Sequence, residues 1–424
     1  MSITREENER LTRTGPGTPM GQLFRQYWIP AMLSERLPEP DGAPIAVKLL
    51  GERLVAFRDT NGRVGLLDEF CPHRRVSLLY GRNEECGLRC AYHGWKFDVD
   101  GQVVETPAEV NPNFGKSIRH VAYPTHEAGG IVWTYMGGEA EPPPFPDFLF
   151  TKLPAYQAIA FHYQQDCNYL QGMEADMDVS HPSFLHSTLT GAPIDERRAA
   201  MAHDRSPQTF VREDAFGLQT VWRWKTADPA KHLFWVDPFV APCFTITPSG
   251  RTKHRWVWHA WVPIDDEHHW AYYVHYDHES MPDPEERPRI EQAFGHDMID
   301  PANGYRSRAT GENMHLLDRD MQKRLNFSGI QGIASQDLAI THSMGPIVDR
   351  SLEKLGSQDI LLVRLRHYLL RLMRQLADGE ALPGRGKDLT YLDVDTRMVI
   401  APKDISFDEV LDHREWKWGD PSKS

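Results

Sequence analysis

The sequence predicts an α+β chain: a small all-β unit, then a larger unit built on an antiparallel sheet and finished by helices. Three observations carry this. From Pro44 onward, short alternating apolar runs are punctuated by Asn61-Gly62 and Asp100-Gly101, dipeptides suited to tight hairpins. Residues 208–277 hold four long alternating runs rich in Trp, Tyr, Phe, Val and Thr, the composition of strands in one antiparallel sheet. Over 359–377, Leu361, Leu365, Tyr368, Leu369, Leu372 and Leu376 recur at helical spacing, and Gly379 stands where a C-terminal cap belongs.

At the N-terminus, Thr4 followed by Glu7 reads as a capping box, so a short helix is expected over 5–13. Gly15 to Pro19 ends it, and Pro38-Glu39-Pro40-Asp41-Gly42 forms a linker. The Pro-rich stretch 137–148 marks a boundary. The expected division is therefore 1–43, packing on the larger unit, then 44–148 and 149–424. Residues 281–326 are polar and are expected to be loop-rich and lid-like.

Length and charge bound the function. At 424 residues the chain has room for two or more domains, and 40% hydrophobic with 25% charged residues is a soluble, globular composition. The formal charge is 47 − 60 = −13 with no dense basic run, which argues against nucleic acid and anionic membranes as partners. No apolar run approaches the length of a membrane span, and the N-terminus has no apolar signal core. Five cysteines in so long a chain make no disulfide framework, which points to a reducing, cytoplasmic compartment.

The chemistry concentrates in two places. Residues 168–186 pack Glu174, Asp178, His181 and His186 into thirteen positions. Glu174, Asp178 and His181 fall at i, i+4 and i+7, which by itself describes a solvated helix face as well as a metal site. About a hundred residues upstream, Cys71-Pro72-His73 and Cys90-Ala91-Tyr92-His93 are separated by sixteen residues and offer two thiolates and two imidazoles. Zinc would accept that set, as would a 2Fe-2S cluster with two cysteines on one iron and two histidines on the other.

The neighbours of those ligands choose between them. CPHRR followed by CAYHGWKFDVDG resembles the Rieske signature, which implies a 2Fe-2S cluster on Cys71, His73, Cys90 and His93. One departure stands out: the family has glycine after the His-Arg pair, whereas Arg75 follows Arg74 here, so this loop is expected to run differently. Neither loop carries the extra cysteine of respiratory-chain Rieske proteins. Cys86, Cys167 and Cys243 match no ligand position and read as ordinary thiols.

Downstream, Glu174-x3-Asp178-x2-His181-x4-His186 resembles the mononuclear-iron motif of Rieske non-haem iron oxygenases, large (alpha) subunit, in their phthalate-dioxygenase-like branch. The resemblance spans nearly the whole chain. It implies a helix-grip (START/Bet v1-like) catalytic domain and Fe(II) held by His181, His186 and a distant carboxylate. Gln336-Asp337-Leu338-Ala339 supplies that carboxylate as Asp337, with Asp349 and Asp359 as fallbacks. The resemblance also gives Asp178 a coupling role, bonded to a Rieske histidine of a neighbouring subunit and to an iron-ligand histidine, and so implies a homotrimer or a hexamer of two stacked trimers. His181 and His186 lie five apart, about 500° of helical rotation, and Pro182 intervenes, so a helix break is expected between them.

With no GxGxxG stretch and no plant-type cysteine run, electrons are expected from a separate NADH-dependent flavin/iron–sulfur reductase. The resemblance implies O2 and an aromatic substrate, carboxylated or an aryl ether, taken by dioxygenation, or by monooxygenation with loss of a substituent. Asn168, Gln171, Glu174, Arg223, Trp224 and Trp235 are candidates for the pocket or for support behind it. The competing readings are an electron-transfer protein without oxygenase activity and a zinc-stabilised binding protein.

Overall fold

The computed structural model describes residues 3–139, 141–189, 196–248, 255–277, 286–412 and 418–419. Helix α1 (Arg5–Thr12) starts as its capping box dictates: the Thr4 hydroxyl accepts the Glu7 N–H and the Glu7 carboxylate accepts the Thr4 N–H. Its inner face meets the larger unit, where Tyr169 donates to the Leu11 carbonyl and Asn168 to that of Thr12. Helix α2 (Pro19–Phe24) follows, with Thr18 as cap and proline in the first turn.

Strand β1 (Trp28–Leu33) then pairs antiparallel with a strand at 131–135. The segment before residue 44 is thus divided between the two units. Pro30 and the all-apolar run WIPAML disguise the strand, whose six residues are all buried. The small unit continues with β2 (Ile45–Leu49), β3 (Glu52–Arg58) and β4 (Val64–Asp68), joined by antiparallel pairing. Gly62 takes φ +81° in the β3–β4 hairpin. A second sheet holds β5 (Arg82–Glu84), β6 (Gly87–Arg89), β7 (Lys96–Phe97) and β8 (Val103–Glu105), and Gly101 turns the last pair at φ +78°. A Cβ there would meet the His120 carbonyl at 2.4 Å, so only glycine fits. Strands β9 (Thr125–Ala128) and β10 (Ile131–Tyr135) close the unit beside β1.

The larger unit opens with β11 (Ala158–Gln165), α3 (Tyr169–Asp176) and α4 (Glu196–His203). The four alternating runs become six strands: β12 (Gln208–Asp214), β13 (Gly217–Lys225), β14 (Lys231–Val240), β15 (Phe244–Pro248), β16 (Arg255–Pro263) and β17 (His269–Asp277). All pair antiparallel in chain order, with β11 beyond β17. The first two runs each split because a turn, at 215–216 and 241–243, interrupts them.

Residues 281–326 depart from expectation. The first five lie outside the described residues, and 286–326 are structured by α5 (Glu286–Phe294), β18 (Ile299–Asp300), β19 (Arg306–Ser307) and α6 (Arg319–Arg324). Buried Ile290 and the stack of His296 on Phe161, centroids 4.2 Å apart, anchor a stretch whose composition reads as loop. Helix α7 (Ile333–Ser343) and helix α8 (Ile360–Ala377) complete the grip, and strand β20 (Arg397–Pro402) pairs with β14. On α8 the expected apolar stripe is buried except for Leu376, which is half-buried, and Gly379 ends the helix at φ +74°. The two units are tied at their turns: the N–H groups of Leu50 and Gly51 donate to the carbonyls of Pro263 and Ile264. Among the described residues no helix is long and apolar enough to cross a membrane.

Candidate active site

Two turns hold the first group of ligands, one between β4 and β5 and one between β6 and β7. They are built alike. Cys71 N–H donates to the Val76 carbonyl and Arg75 N–H to the Cys71 carbonyl; Cys90 N–H donates to that of Trp95 and Gly94 N–H to that of Cys90. Arg75 and Gly94 therefore occupy the same place, at φ +57° and +74°. Arg75 does not reroute its loop; it adopts the left-handed conformation itself. Its guanidinium donates to the Phe70 carbonyl at 3.0 Å and lies 5.1 Å from the Phe70 ring centroid.

Cys71 and Cys90 are buried against a small core of their own, containing Val55, Phe57, Leu78, Leu88, Trp95 and Phe97. Burial, and after it the neighbouring Cys90, push the Cys71 thiol up to about 11, the signature of two sulfurs placed side by side away from water. His73 is exposed and stacks on Trp95 at 4.7 Å, and its ring centroid is 4.6 Å from that of His93. Thiols inside and imidazoles outside give a donor set with two chemically distinct ends, as a 2Fe-2S cluster with mixed ligands requires.

The second group forms where α3 gives way. The helix stops at Asp176, and His181 opens a single 3-10 turn, His181–Ser183, so the break expected between the histidines begins ahead of His181. Asp178 does not extend a helix face: its Oδ1 accepts from the Ser180 N–H at 2.7 Å and the Ser180 hydroxyl at 2.8 Å. Its backbone carbonyl accepts from His181 Nδ1 at 2.9 Å, and Gln336 Oε1 accepts from His186 Nδ1 at 2.6 Å. With both Nδ1 atoms donating, both Nε2 lone pairs are free, and they converge to 3.1 Å. Asp337, from the first turns of α7, brings Oδ1 to 3.2 Å from His186 Nε2 and 3.7 Å from His181 Nε2. These three are the one group among the described residues with ligand atoms close enough to share a metal ion. Burial is the largest influence on each. It lowers the pKa of His181, whereas Asp337 outweighs it at His186 and raises that one; the two histidines keep the Asp337 carboxyl low. Asp337 Oδ1 is buried with no hydrogen-bond donor, an orphan that a cation would satisfy.

Above the triad lies a cavity of about 660 Å³. One wall is the inward face of the sheet, with Trp222, Trp235, Asp237, Val257, His259, Trp261 and Tyr273; Arg198 and Arg205 line it from the α4 side. Of the expected pocket residues, Trp235 lines the cavity. Trp224 does not: it is fully buried in the core. Arg223 points to the opposite face, where it reaches Gln208 and lies 5.1 Å from the Phe407 ring centroid, because side chains alternate along β13.

Asn168, Gln171 and Glu174 act behind the site. Asn168 caps α3. Gln171 donates to the carbonyls of Thr341 and Gly345 and accepts from Val348 N–H, pinning α3 to the end of α7. Glu174 accepts from Arg350 at 2.8 Å and Arg366 at 2.6 Å, both arginines fully buried, and Arg366 also pairs with Glu353. Burial alone would raise its pKa, but the two guanidinium groups overcome that and hold it below the usual value. Asp349 and Asp359 are turn caps, bonded to Ser351 and Gly356. Gln336, Asp176, Asp237 and His259 were not anticipated. For Asp237 a signal existed: it is an acid at an inward position, in alternation with Leu233, Trp235 and Phe239.

Comparison with known proteins bears on both groups. The model of the Rieske [2Fe-2S] domain matches residues 27–124, and the model described as LigXa C-terminal domain like matches residues 134–420. The oxygenase subunit of phthalate 4,5-dioxygenase from Pseudomonas putida is 37% identical, over 99% of this chain and 97% of its own length. The oxygenase subunit of 3-chlorobenzoate-3,4-dioxygenase from Comamonas testosteroni is 36% identical, over 98% and 99%. Among solved structures, dicamba monooxygenase bound to dicamba shares the fold at a TM-score of 0.60, with 20% identity over 84% of this chain and 98% of that one.

Proposed function

Because the chain belongs to the Rieske non-haem iron oxygenases, in their phthalate-dioxygenase-like branch, we propose that it is the terminal oxygenase of a system acting on an aromatic acid or aryl ether. The observation that carries this is the convergence of His181 Nε2, His186 Nε2 and Asp337 Oδ1 at the foot of an aromatic-walled cavity. Two imidazoles and one carboxylate are the donor set of oxygen-activating non-haem iron, and they leave coordination positions open. Cys71, His73, Cys90 and His93 hold the 2Fe-2S cluster in this reading, and the chain divides into 44–148 for the cluster and 149–424 for the iron, with 1–43 accessory to them. When bound, the iron supplies activation of O2 with electrons that arrive through the cluster.

The protein's own residues do the rest. Gln336 and the Asp178 carbonyl fix both imidazoles in the Nε2-binding tautomer. Trp222, Trp235 and Tyr273 exclude water and present flat surfaces to an arene, and Arg198 and Arg205 suit a carboxylate. Asp178 spends Oδ1 on the Ser180 turn, and its second oxygen is the one for a Rieske histidine of a neighbouring subunit, in a trimer or a hexamer of stacked trimers. The electron donor is a separate NADH-dependent flavin/iron–sulfur reductase or its ferredoxin, and free, unpaired cysteines suit the cytoplasm.

The test is turnover with a donor reductase over a panel of aromatic acids under 18O2, with mass spectrometry counting one oxygen atom or two. A Rieske EPR signal on reduction and labelled product are expected. Asp178→Asn should keep both metal centres and lose at least about a hundredfold in turnover. Normal turnover in that variant would refute the bridge, and absence of labelled product across the panel would sink the oxygenase reading.

A further inference from the structure

The cavity is lined by a buried acid, Asp237, that neither the iron nor the cluster uses. Asp237 is 2% exposed and lines the cavity between β13 and the return strand β20. Its Oδ1 accepts from Trp235 Nε1 at 2.5 Å and lies 2.8 Å from the Thr396 hydroxyl, which also reaches the Val236 carbonyl. Its Oδ2 has no partner among the described residues. A buried carboxyl with one oxygen saturated and the other facing a cavity is costly unless something in the cavity completes it.

We propose that Asp237 is a specificity residue whose Oδ2–H donates a hydrogen bond to a neutral oxygen substituent of the substrate, an aryl ether, phenolic or carbonyl oxygen. This rests on the reading of the cavity as the substrate site, and it narrows the substrate to an oxygen-substituted aromatic acid.

Three features support it. Trp235 N–H is a fixed donor, so Oδ1 plays the carbonyl part and the proton belongs on Oδ2. A second carboxyl lies nearby: Asp176 is paired with His259 Nδ1 at 3.1 Å and accepts from the Thr245 hydroxyl. Burial first, and then Asp176, push the Asp237 pKa well above the carboxylate range, which keeps it neutral and a donor. Finally, Arg198 and Arg205 line the same cavity. A carboxylate suits the arginines and a neutral acceptor suits Asp237, whereas a second carboxylate at Asp237 would be repelled by Asp176.

The experiment is calorimetric binding to the purified oxygenase of two isosteric pairs, 3- and 4-methoxybenzoate against 3- and 4-ethylbenzoate, which exchange an oxygen for a methylene. Wild type should prefer one ether over its methylene partner by about tenfold. Asp237→Leu should bring that ratio to about one. Asp237→Asn should keep it within about threefold, because Trp235 N–H orients the amide oxygen and leaves its NH2 toward the cavity. Asp237→Ala replaces the leucine variant if that one does not fold. No ether preference in wild type, a preference surviving in the apolar variant, or its loss in Asp237→Asn would each overturn the donor role. Failure of all four acids to bind would instead overturn the cavity assignment.

Discussion

The cluster turns and the histidine–carboxylate triad each bring donors to one point, but they use the chain in opposite ways. The four cluster ligands fall between residues 71 and 93, in two turns closed by the same pair of backbone hydrogen bonds. The triad joins residues 181 and 337, and its geometry depends on side chains: Gln336 on His186, and the Glu174–Arg350–Arg366 network under α3. One site is held by local backbone, the other by buried partners remote in sequence. Changes to those partners should therefore damage the triad and spare the cluster, which packs on its own small core.

The largest effect is expected at Glu174. Removing one member of a buried ion network leaves uncompensated charge, here the guanidinium of Arg350, which is 0% exposed, while Arg366 keeps Glu353, at a cost of about 3–5 kcal/mol. Glu174→Gln should lower the unfolding free energy by that amount and loosen iron, while the folded fraction keeps its Rieske absorption. The pH dependence has a definite sign. A carboxyl held below its unfolded pKa contributes stability that is complete above about pH 4.3 and is lost as pH falls through the folded value. Wild type should accordingly lose stability on the acid side, and the glutamine variant should lack that component. An unchanged acid limb would refute the network's role.

A smaller loss is expected at Gln336. Its Oε1 is the acceptor that holds His186 Nδ1, and its Nε2 donates to the Ile330 carbonyl, which fixes the amide's orientation. Gln336→Leu should weaken iron binding by about 10–100-fold, the usual effect of losing a ligand's outer partner. Iron titration followed by metal analysis measures it, and the EPR of the reduced cluster serves as the internal control. Equal loss of both centres would erase the contrast between the sites.

The same contrast explains what could be read from the residues. The cluster was legible because its ligands, turn residues and tryptophan lie in one short stretch, whereas the spacing of His181 and His186 alone fits a solvated helix face and their ligand role came from the resemblance. Asp337 came from resemblance, since nothing near it in the sequence marks it apart from other helical acids. Glu174 was placed in the pocket's surroundings without its partners, because Arg350 lies 176 residues away. Arg223 was an avoidable error. Trp222 and Trp235 are directly paired and face the cavity, and strict alternation then sends Arg223 to the other side. Asp237 and Gln336 were passed over because single polar residues in regular elements are usually satisfied locally; here their partners, Thr396 and His186, come from elsewhere in the chain.

The smallest effect should come from the two cluster turns themselves, where the same backbone position carries arginine in one and glycine in the other. A Cβ on Gly94 would meet Pro107 Cγ at 2.8 Å in addition to the strain of φ +74°. Gly94→Ala should therefore cost about 1–3 kcal/mol and broaden the Rieske EPR signal. At Arg75 the terms nearly cancel. Glycine would relieve roughly 1–2 kcal/mol of left-handed strain. It would also give up the bond to the Phe70 carbonyl and the contact with that ring, together about 1–2 kcal/mol. Its extra freedom in the unfolded chain costs about 0.4–1 kcal/mol more. Arg75→Gly is thus expected to shift stability by no more than about 1 kcal/mol and to leave the cluster spectrum unchanged. A clear gain in stability would mean that the guanidinium contributes nothing to the turn, and that arginine at this position is carried as uncompensated strain.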